Sequence, residues 1–147
     1  MSVSTKAKSK DVIVERKIEK SNLLPIDSGD VKYYDFRQNN SGGSFDVSDN
    51  FGQNVIIAAR DMREANRRAE EVGLYFDGCS SGLDCDCCGD RWSEQYSEST
   101  DVKPSVYGRD PEMYLLDGDS WSSTKIVIFH ADGTRESLTK IGRTNAV

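Results

Sequence analysis

Residues 61–73 carry the clearest fold signal in the chain, the pattern of a single amphipathic helix. Asp61 is a typical N-cap residue, and Glu64, three positions later, completes a capping box. Gly73 is suited to ending the helix, because glycine readily adopts the left-handed conformation. The apolar residues recur at helical spacing, at Met62, Ala65, Ala69 and Val72. Alanines on this face predict that the helix packs closely on a sheet.

Short β-branched or alternating segments surround this helix, and we interpret them as strands. Three precede it, at 31–37, 44–48 and 53–59, and three follow a long polar region, at 112–116, 125–130 and 134–138. A turn sequence between 44–48 and 53–59 predicts a hairpin, and Asp132-Gly133 predicts a second one. The order predicts an α+β domain, in which an antiparallel β-sheet carries one helix on one face. The absence of βαβ alternation disfavours a Rossmann-type cofactor site.

The length of 147 residues suits one domain, which we place at residues 31–147. Residues 1–30 are interpreted as a partly ordered N-terminal arm. Lys6, Lys8 and Lys10 alternate with small residues there, and Pro25 disfavours a helix. Short apolar patches in the arm are suited to docking on the body of the protein or on a partner.

The chain is acidic, with a net formal charge of -6. Nucleic-acid binding through phosphate neutralisation is therefore disfavoured; an acidic chain more often meets a basic protein surface or is simply soluble. No apolar run approaches the ~18 residues that span a bilayer, and no signal-peptide pattern follows the N-terminal lysines. We therefore expect a cytoplasmic protein with reduced thiols and no membrane partner; its oligomeric state is left open.

All four cysteines lie in the loop that follows the predicted helix, at Cys79, Cys85, Cys87 and Cys88. In a reducing compartment such a cluster is more typical of metal binding or reactivity than of a disulfide. The spacing from Cys85 to Cys88, with Gly89 next, has the shape of a zinc knuckle. The chain lacks a second such pair. Cys79 would then be a third zinc ligand, and Cys87, His130 or an aspartate the fourth.

Other interpretations of the cysteine loop compete with zinc. A calcium loop starting at Asp84 lacks the bidentate acid at its twelfth position. A nucleophilic thiol would need His130, the only histidine, with Asp84 or Asp90 orienting it, yet neighbouring acids raise the pKa of a thiol. In a structural interpretation the cysteines pack as small apolar groups, Asp90 caps a turn, Arg91 pairs with a carboxylate and Trp92 covers the core.

The stretch from 61 to 92 resembles a family of small uncharacterised proteins from tailed bacteriophages. The family's helix, of the type EAN..AE..G.YFDG, is similar to residues 64–78, and its loop, of the type DC.CCGDRW, to residues 84–92. A hairpin of the family is similar to residues 126–133. The resemblance implies a phage gene product acting in the bacterial cytoplasm. Cys79 is not part of the family pattern. The resemblance therefore leaves Cys85, Cys87 and Cys88 as the three cysteines of the predicted site.

Three functional hypotheses follow. The first is a phage accessory protein, a non-enzymatic binding module that acts on a host or defence component. Its contact surface would be the acidic loop 77–101 with Arg91 and Trp92 as anchors, because Arg and Trp dominate binding hot spots. Asp84, Asp90 and His130 are further candidate binding residues. The alternatives are a small enzyme or nucleotide-binding protein that uses the cysteine loop with His130, and a virion-associated structural protein.

Overall fold

The computed structural model describes residues 3–9, 12–27, 29–39, 45–84, 89–117 and 125–143, which form six strands and three helices. The strands are β1 Val3–Ser9, β2 Val12–Lys20, β3 Lys32–Arg37, β4 Asn54–Ala59, β5 Lys125–Phe129 and β6 Thr134–Arg143. The helices are α1 Met62–Glu71, α2 Gly78–Ser81 and α3 Pro111–Asp117.

All six strands belong to one sheet, in the order β1-β2-β6-β5-β4-β3. The α+β class predicted from the sequence is confirmed. The sheet is mixed rather than wholly antiparallel: four neighbouring pairs are antiparallel, whereas β4 and β5 are parallel. The parallel pair arises because the chain leaves the end of β4 and returns to the other end of the sheet before β5 begins. Two segments of the expected N-terminal arm, 3–9 and 12–20, are strands of this sheet.

The strand predicted at 44–48 does not form over residues 45–48, and β4 pairs with β3 instead, at six positions. A buried glutamine explains the difference. The side-chain amide of Gln38 donates to the carbonyls of Asp46 and Gly52, each at 3.0 Å. The Gln38 side-chain oxygen also accepts from the N–H of Asp46. These bonds satisfy the backbone of the segment after β3 without a strand ladder.

The predicted helix at 61–73 is confirmed as α1, which covers one face of the sheet. The Asp61 carboxylate accepts from the N–H of Glu64 at 2.8 Å, and the Glu64 carboxylate accepts from the N–H of Arg60 at 2.7 Å. Gly73 follows with a φ of 110°. The close packing of α1 is also confirmed, since its buried residues Ala65 and Ala69 share a core with β4 and β5.

A second helix, α3, lies on the opposite face, so the structure differs from the expectation of one helix on one face. The segment 112–116, predicted to be a strand, lies within α3. Its start signals are local: Asp110 accepts from the N–H of Met113 at 3.2 Å, and Pro111 occupies the first helical position. Leu115 is fully buried in a second core with Val14 and Leu138. The sheet is therefore covered on both faces.

A buried arginine connects the layers. Arg68, only 2% exposed, extends from α1 and donates to the carbonyls of Ala58 at 3.1 Å, Leu24 at 2.9 Å and His130 at 3.5 Å. One guanidinium thus satisfies carbonyls from the end of β4, from the segment after β2 and from the end of β5. Among the described residues, no helix is both long enough and apolar enough to cross a membrane.

We expect Arg68→Met to lower the free energy of unfolding by about 3 kcal/mol, because three carbonyl groups lose a charged donor while the side-chain stem is retained. Urea unfolding followed by circular dichroism measures the change. Arg63→Met is the matched control, since Arg63 is exposed on the same helix, and its effect should stay within about 0.5 kcal/mol. Equal losses in both variants would contradict this role for Arg68.

Candidate functional site

Most of the predicted zinc site lies outside the described residues, because Cys85, Cys87 and Cys88 fall between 84 and 89. Cys79 is half-buried in the first turn of α2, and its N–H donates to the carboxylate of Asp90 at 2.9 Å. Within the described ranges, no group of three metal-ligating side chains forms a metal site. Zinc binding and structural packing of the thiols both stay predictions.

Asp84 anchors the described part of the cysteine loop. Its carboxylate is 7% exposed and accepts from the Tyr75 hydroxyl at 3.0 Å and from the N–H of Arg91 at 2.8 Å. Burial, and next the bond to Asp84, raise the pKa of Tyr75, which keeps the hydroxyl a donor. Gly78 is required here, because an added Cβ would lie 1.8 Å from the Asp84 Oδ2. Arg91 in turn donates to the side chain of Gln38 at 2.6 Å.

The four loop residues predicted to bind a partner thus have internal roles. Asp84, Asp90 and Arg91 join both sides of the loop to each other and to the residue after β3. Trp92 has no exposed surface, and its ring packs on Phe51 with centroids 5.6 Å apart. Trp92 therefore covers the core. This geometry agrees with the structural interpretation of these residues.

His130 lies at the opposite end of the sheet from the cysteine loop. The loop is attached to Gln38, whose N–H donates to Gln53, just before β4 begins. His130 follows the last residue of β5, and β4 and β5 run parallel. The sheet therefore separates His130 from Cys79, Asp84 and the other described loop residues. The predicted pairing of a loop thiol with His130 has no support among the described residues.

His130 instead belongs to a polar network under α3. Its Nε2 lies 2.8 Å from the Glu136 carboxylate, and its Nδ1 lies 2.9 Å from the Tyr33 hydroxyl. A carboxylate only accepts, so Nε2 carries the proton and Nδ1 accepts from Tyr33. Arg16 pairs with both Glu136 and Glu112, which links β2 and β6 to α3.

The electrostatics of this network favour a neutral imidazole. Burial lowers the pKa of His130, Asp132 acts against that shift and Arg16 adds to it. Burial also raises the pKa of Tyr33, so its hydroxyl stays protonated. Cavities of about 220 and 420 Å³ border His130. Both ring nitrogens are already bonded, however, so His130 connects elements rather than presenting a base to a ligand.

A larger cavity, of about 610 Å³, runs along β3 at the edge of the sheet. We call it the acidic groove; it is bounded by residues 33–35 and 37 on one side and by residues 93–95 and 97–101 on the other. Four hydrogen bonds fix residues 93–101 against β3, and in one of them the Tyr34 hydroxyl donates to Glu98 at 2.9 Å. Tyr33 donates its N–H to Asp101 at 2.9 Å and accepts from the Ser99 hydroxyl at 2.6 Å, and Gln95 donates to the Asp35 carbonyl at 2.7 Å.

Four carboxylates and one guanidinium line the acidic groove, which gives it a formal charge of 1 - 4 = -3: Asp35, Glu94, Glu98 and Asp101 against Arg37. Burial raises the pKa of Asp35, and bonds from Asn54 and Arg37 oppose the shift. Arg37 is also held over the Tyr107 ring, 3.3 Å from its centroid. The groove therefore has a negative net formal charge, and its Asp35 and Arg37 side chains are held in place by these contacts.

The sequence indicated three of the groove's carboxylates but not the groove itself. Glu94, Glu98 and Asp101 fall in the acidic loop proposed as a contact surface, and the structure brings them together. Asp35 was missed, because it lies in an apolar and aromatic strand and only the packing of 93–101 on β3 places it beside them. Its one sequence signal is a charged residue inside a strand pattern.

A family model matches residues 31–147, and its description is Domain of unknown function (DUF7296). Residues 1–30, with β1 and β2, precede the matched region. The comparisons with curated proteins and with solved structures gave no match.

We expect Asp84→Asn to lower the free energy of unfolding by about 1–2 kcal/mol, because asparagine keeps only one of the two acceptor oxygens. Thermal unfolding measures the change. Asp77→Asn is the matched control: Asp77 is exposed, and asparagine tolerates its left-handed φ of 57°. Both variants remove one negative charge from the same loop. If Asp77→Asn were equally destabilising, loop charge rather than the Asp84 bonds would be responsible.

Stability should fall as the pH drops through the ordinary His pKa of 6.5. Burial lowers the pKa of His130 in the folded chain, so the unfolded chain binds the proton more readily and acid favours unfolding. The slope should be at most about 1.4 kcal/mol per pH unit. Urea unfolding at several pH values, compared with His130→Gln, isolates this residue.

Stability that instead rose on acidification, relative to His130→Gln, would contradict this prediction. It would mean that the ion pair of protonated His130 with Glu136 outweighs burial.

Proposed function

We propose that this chain, which belongs to the DUF7296 family, is a non-enzymatic binding module that holds a basic segment of a partner protein in its acidic groove. The observation that carries the proposal is the groove itself, a cavity of about 610 Å³ that is lined by four carboxylates and one guanidinium. Its volume lies within the range of about 300–1,000 Å³ that is typical of small-molecule and cofactor pockets.

The groove is formed before a partner arrives. Hydrogen bonds from Tyr33, Ser99 and Gln95 hold its two sides together, and Glu98 accepts from the Tyr34 hydroxyl and the N–H of Met62, each at 2.9 Å. Preorganisation of this kind lowers the entropic cost of binding. The net charge of -6 adds long-range attraction for a basic surface and repels phosphate groups. The charge therefore favours a protein partner over nucleic acid.

The arrangement of the polar groups supports binding rather than catalysis. Cys79 and His130 lie at opposite ends of the sheet, and both nitrogens of His130 are bonded within the chain. The loop residues Asp84 and Arg91 are likewise bonded to neighbours. In the part of the chain that the structure describes, His130, Asp84 and Arg91 join neighbouring segments, whereas Glu94 is exposed to solvent.

The resemblance of residues 61–92 to small tailed-phage proteins supports a bacterial host cell as the place where this binding occurs. On that basis the partner is a host protein or a defence component in the bacterial cytoplasm, and the chain is a phage accessory protein. The contact surface is the acidic groove, in place of the anchors expected at Arg91 and Trp92.

Affinity capture from the bacterial host, with matched charge variants, tests the proposal. Glu94→Lys reverses an exposed charge in the groove, and Asp49→Lys makes the same change at an exposed turn outside it. The wild type and Asp49→Lys should retain the same basic protein, whereas Glu94→Lys should retain about tenfold less. About 0.5 M salt should release the partner, because exposed charge pairs are screened. Equal retention by all three proteins would overturn the proposal.

A further inference from the structure

We propose that the acidic groove also takes the N-terminal strand β1 of a second copy of this chain, so that copies associate head to tail. The inference rests on the binding role proposed for the groove and names a further occupant. Both partners in this contact are sheet edges of the same molecule. β1 and β3 are the outermost strands, at opposite sides of the sheet.

The β1 side of the sheet is an open edge in the described structure. β1 pairs with β2 at seven positions, and no described strand lies on its other side. Antiparallel pairing directs alternate backbone groups away from the partner strand, so β1 presents N–H and carbonyl groups along its outer edge. Such an edge is suited to pairing with another chain.

The groove side offers backbone donors as well as charge. Asp35 and Arg37 lie at positions of β3 whose backbone groups face away from β4, as the bond from Gln95 to the Asp35 carbonyl shows. The N–H groups of Asp35 and Arg37 have no protein acceptor among the described residues. An extended chain in the groove can accept from these groups, as in the addition of a strand to a sheet edge.

The charges of the two edges are opposite. Residues 1–10 contain three lysines and no acidic residue, and the groove has a formal charge of -3. Lysines on an edge strand ordinarily prevent association, because two like edges repel each other. Here the same lysines disfavour a contact between β1 strands of two copies and favour a contact between β1 of one copy and the groove of another. The contact therefore has a defined direction, with one donor edge and one acceptor edge in each copy.

A contact between two different surfaces of identical copies is heterologous, and repetition gives rings or open chains. Sedimentation velocity of the full-length chain tests this. At low salt the average sedimentation coefficient should rise with protein concentration. It should return to the monomer value in about 1 M salt, where the screening length is about 3 Å. A chain that stays monomeric at every concentration at low salt would overturn the inference.

Charge exchange between two variants tests the surfaces. Lys8→Glu with Lys10→Glu changes the formal side-chain charge of residues 1–10 from +3 to 1 - 2 = -1; Lys6 is left unchanged because it lies opposite Glu15 in the β1–β2 register. Glu94→Lys with Ser97→Lys changes two exposed positions and removes the negative formal charge of the groove, from -3 to 0. Each double variant alone should be monomeric, and an equimolar mixture should associate. A mixture that stays monomeric while both variants keep the wild-type melting temperature would overturn the inference.

A peptide of residues 1–10 gives a test without any variant, since it should compete with β1 and reduce association of the wild type. Asp49→Lys should associate like the wild type.

Failure of this inference is distinguishable from failure of the proposed function. A monomeric wild type whose host partner is lost on Glu94→Lys overturns the self-contact alone. Salt-sensitive association with host capture unchanged by Glu94→Lys overturns the host-binding role alone.

Discussion

Burial of β4 on both faces is the constraint on which the rest of the structure depends. All six of its residues are buried: Val55 and Ile57 face the α1 core, and Ile56 faces the α3 core. A strand of this kind needs a cover on each side, because exposing either face would leave several apolar side chains in water. On the second face this cover is α3 together with Val106. The need to bury Ile56 therefore explains why residues 112–116 form a helix that packs on the sheet.

Burial of the sheet on both faces also determines which polar side chains are accessible to a ligand. Buried charges must be paired or bonded, and here they join the layers: Arg68 binds carbonyls behind α1, and Arg16 bridges Glu136 and Glu112 under α3. His130 completes the second network through Tyr33 and Glu136. Side chains used in this way are not available to a substrate. The proposed binding surface lies instead at the rim of the sheet, where residues 93–101 cover β3 through four hydrogen bonds.

Sequence reasoning succeeded where the signal was local. α1 was predictable because Asp61, Glu64 and Gly73 specify its ends within a few residues. The segment 112–116 was ambiguous, since four apolar residues after Glu112 fit a short helix or a strand, and the start signal at Asp110 and Pro111 was not used. The error at 44–48 came from Gln38, whose bonds to Asp46 and Gly52 no local pattern reveals. The acidic groove was half predictable, because its loop carboxylates are visible in the sequence and Asp35 joins them only through tertiary packing.

The two outermost strands, β1 and β3, each have an edge that pairs with no described strand, and the two edges differ in how they are protected. β3 is covered by a polar segment that satisfies part of its backbone and surrounds it with carboxylates. β1 lies in a lysine-containing segment that precedes the region matched by the family model. Like charge along either edge prevents that edge from pairing with its own copy, which is the usual defence of an exposed strand. Because β1 and the groove have opposite charge, the charges that prevent pairing of like edges also attract β1 of one copy to the groove of another. This opposite charge of the two edges, rather than the net charge of -6, makes the proposed contact head to tail.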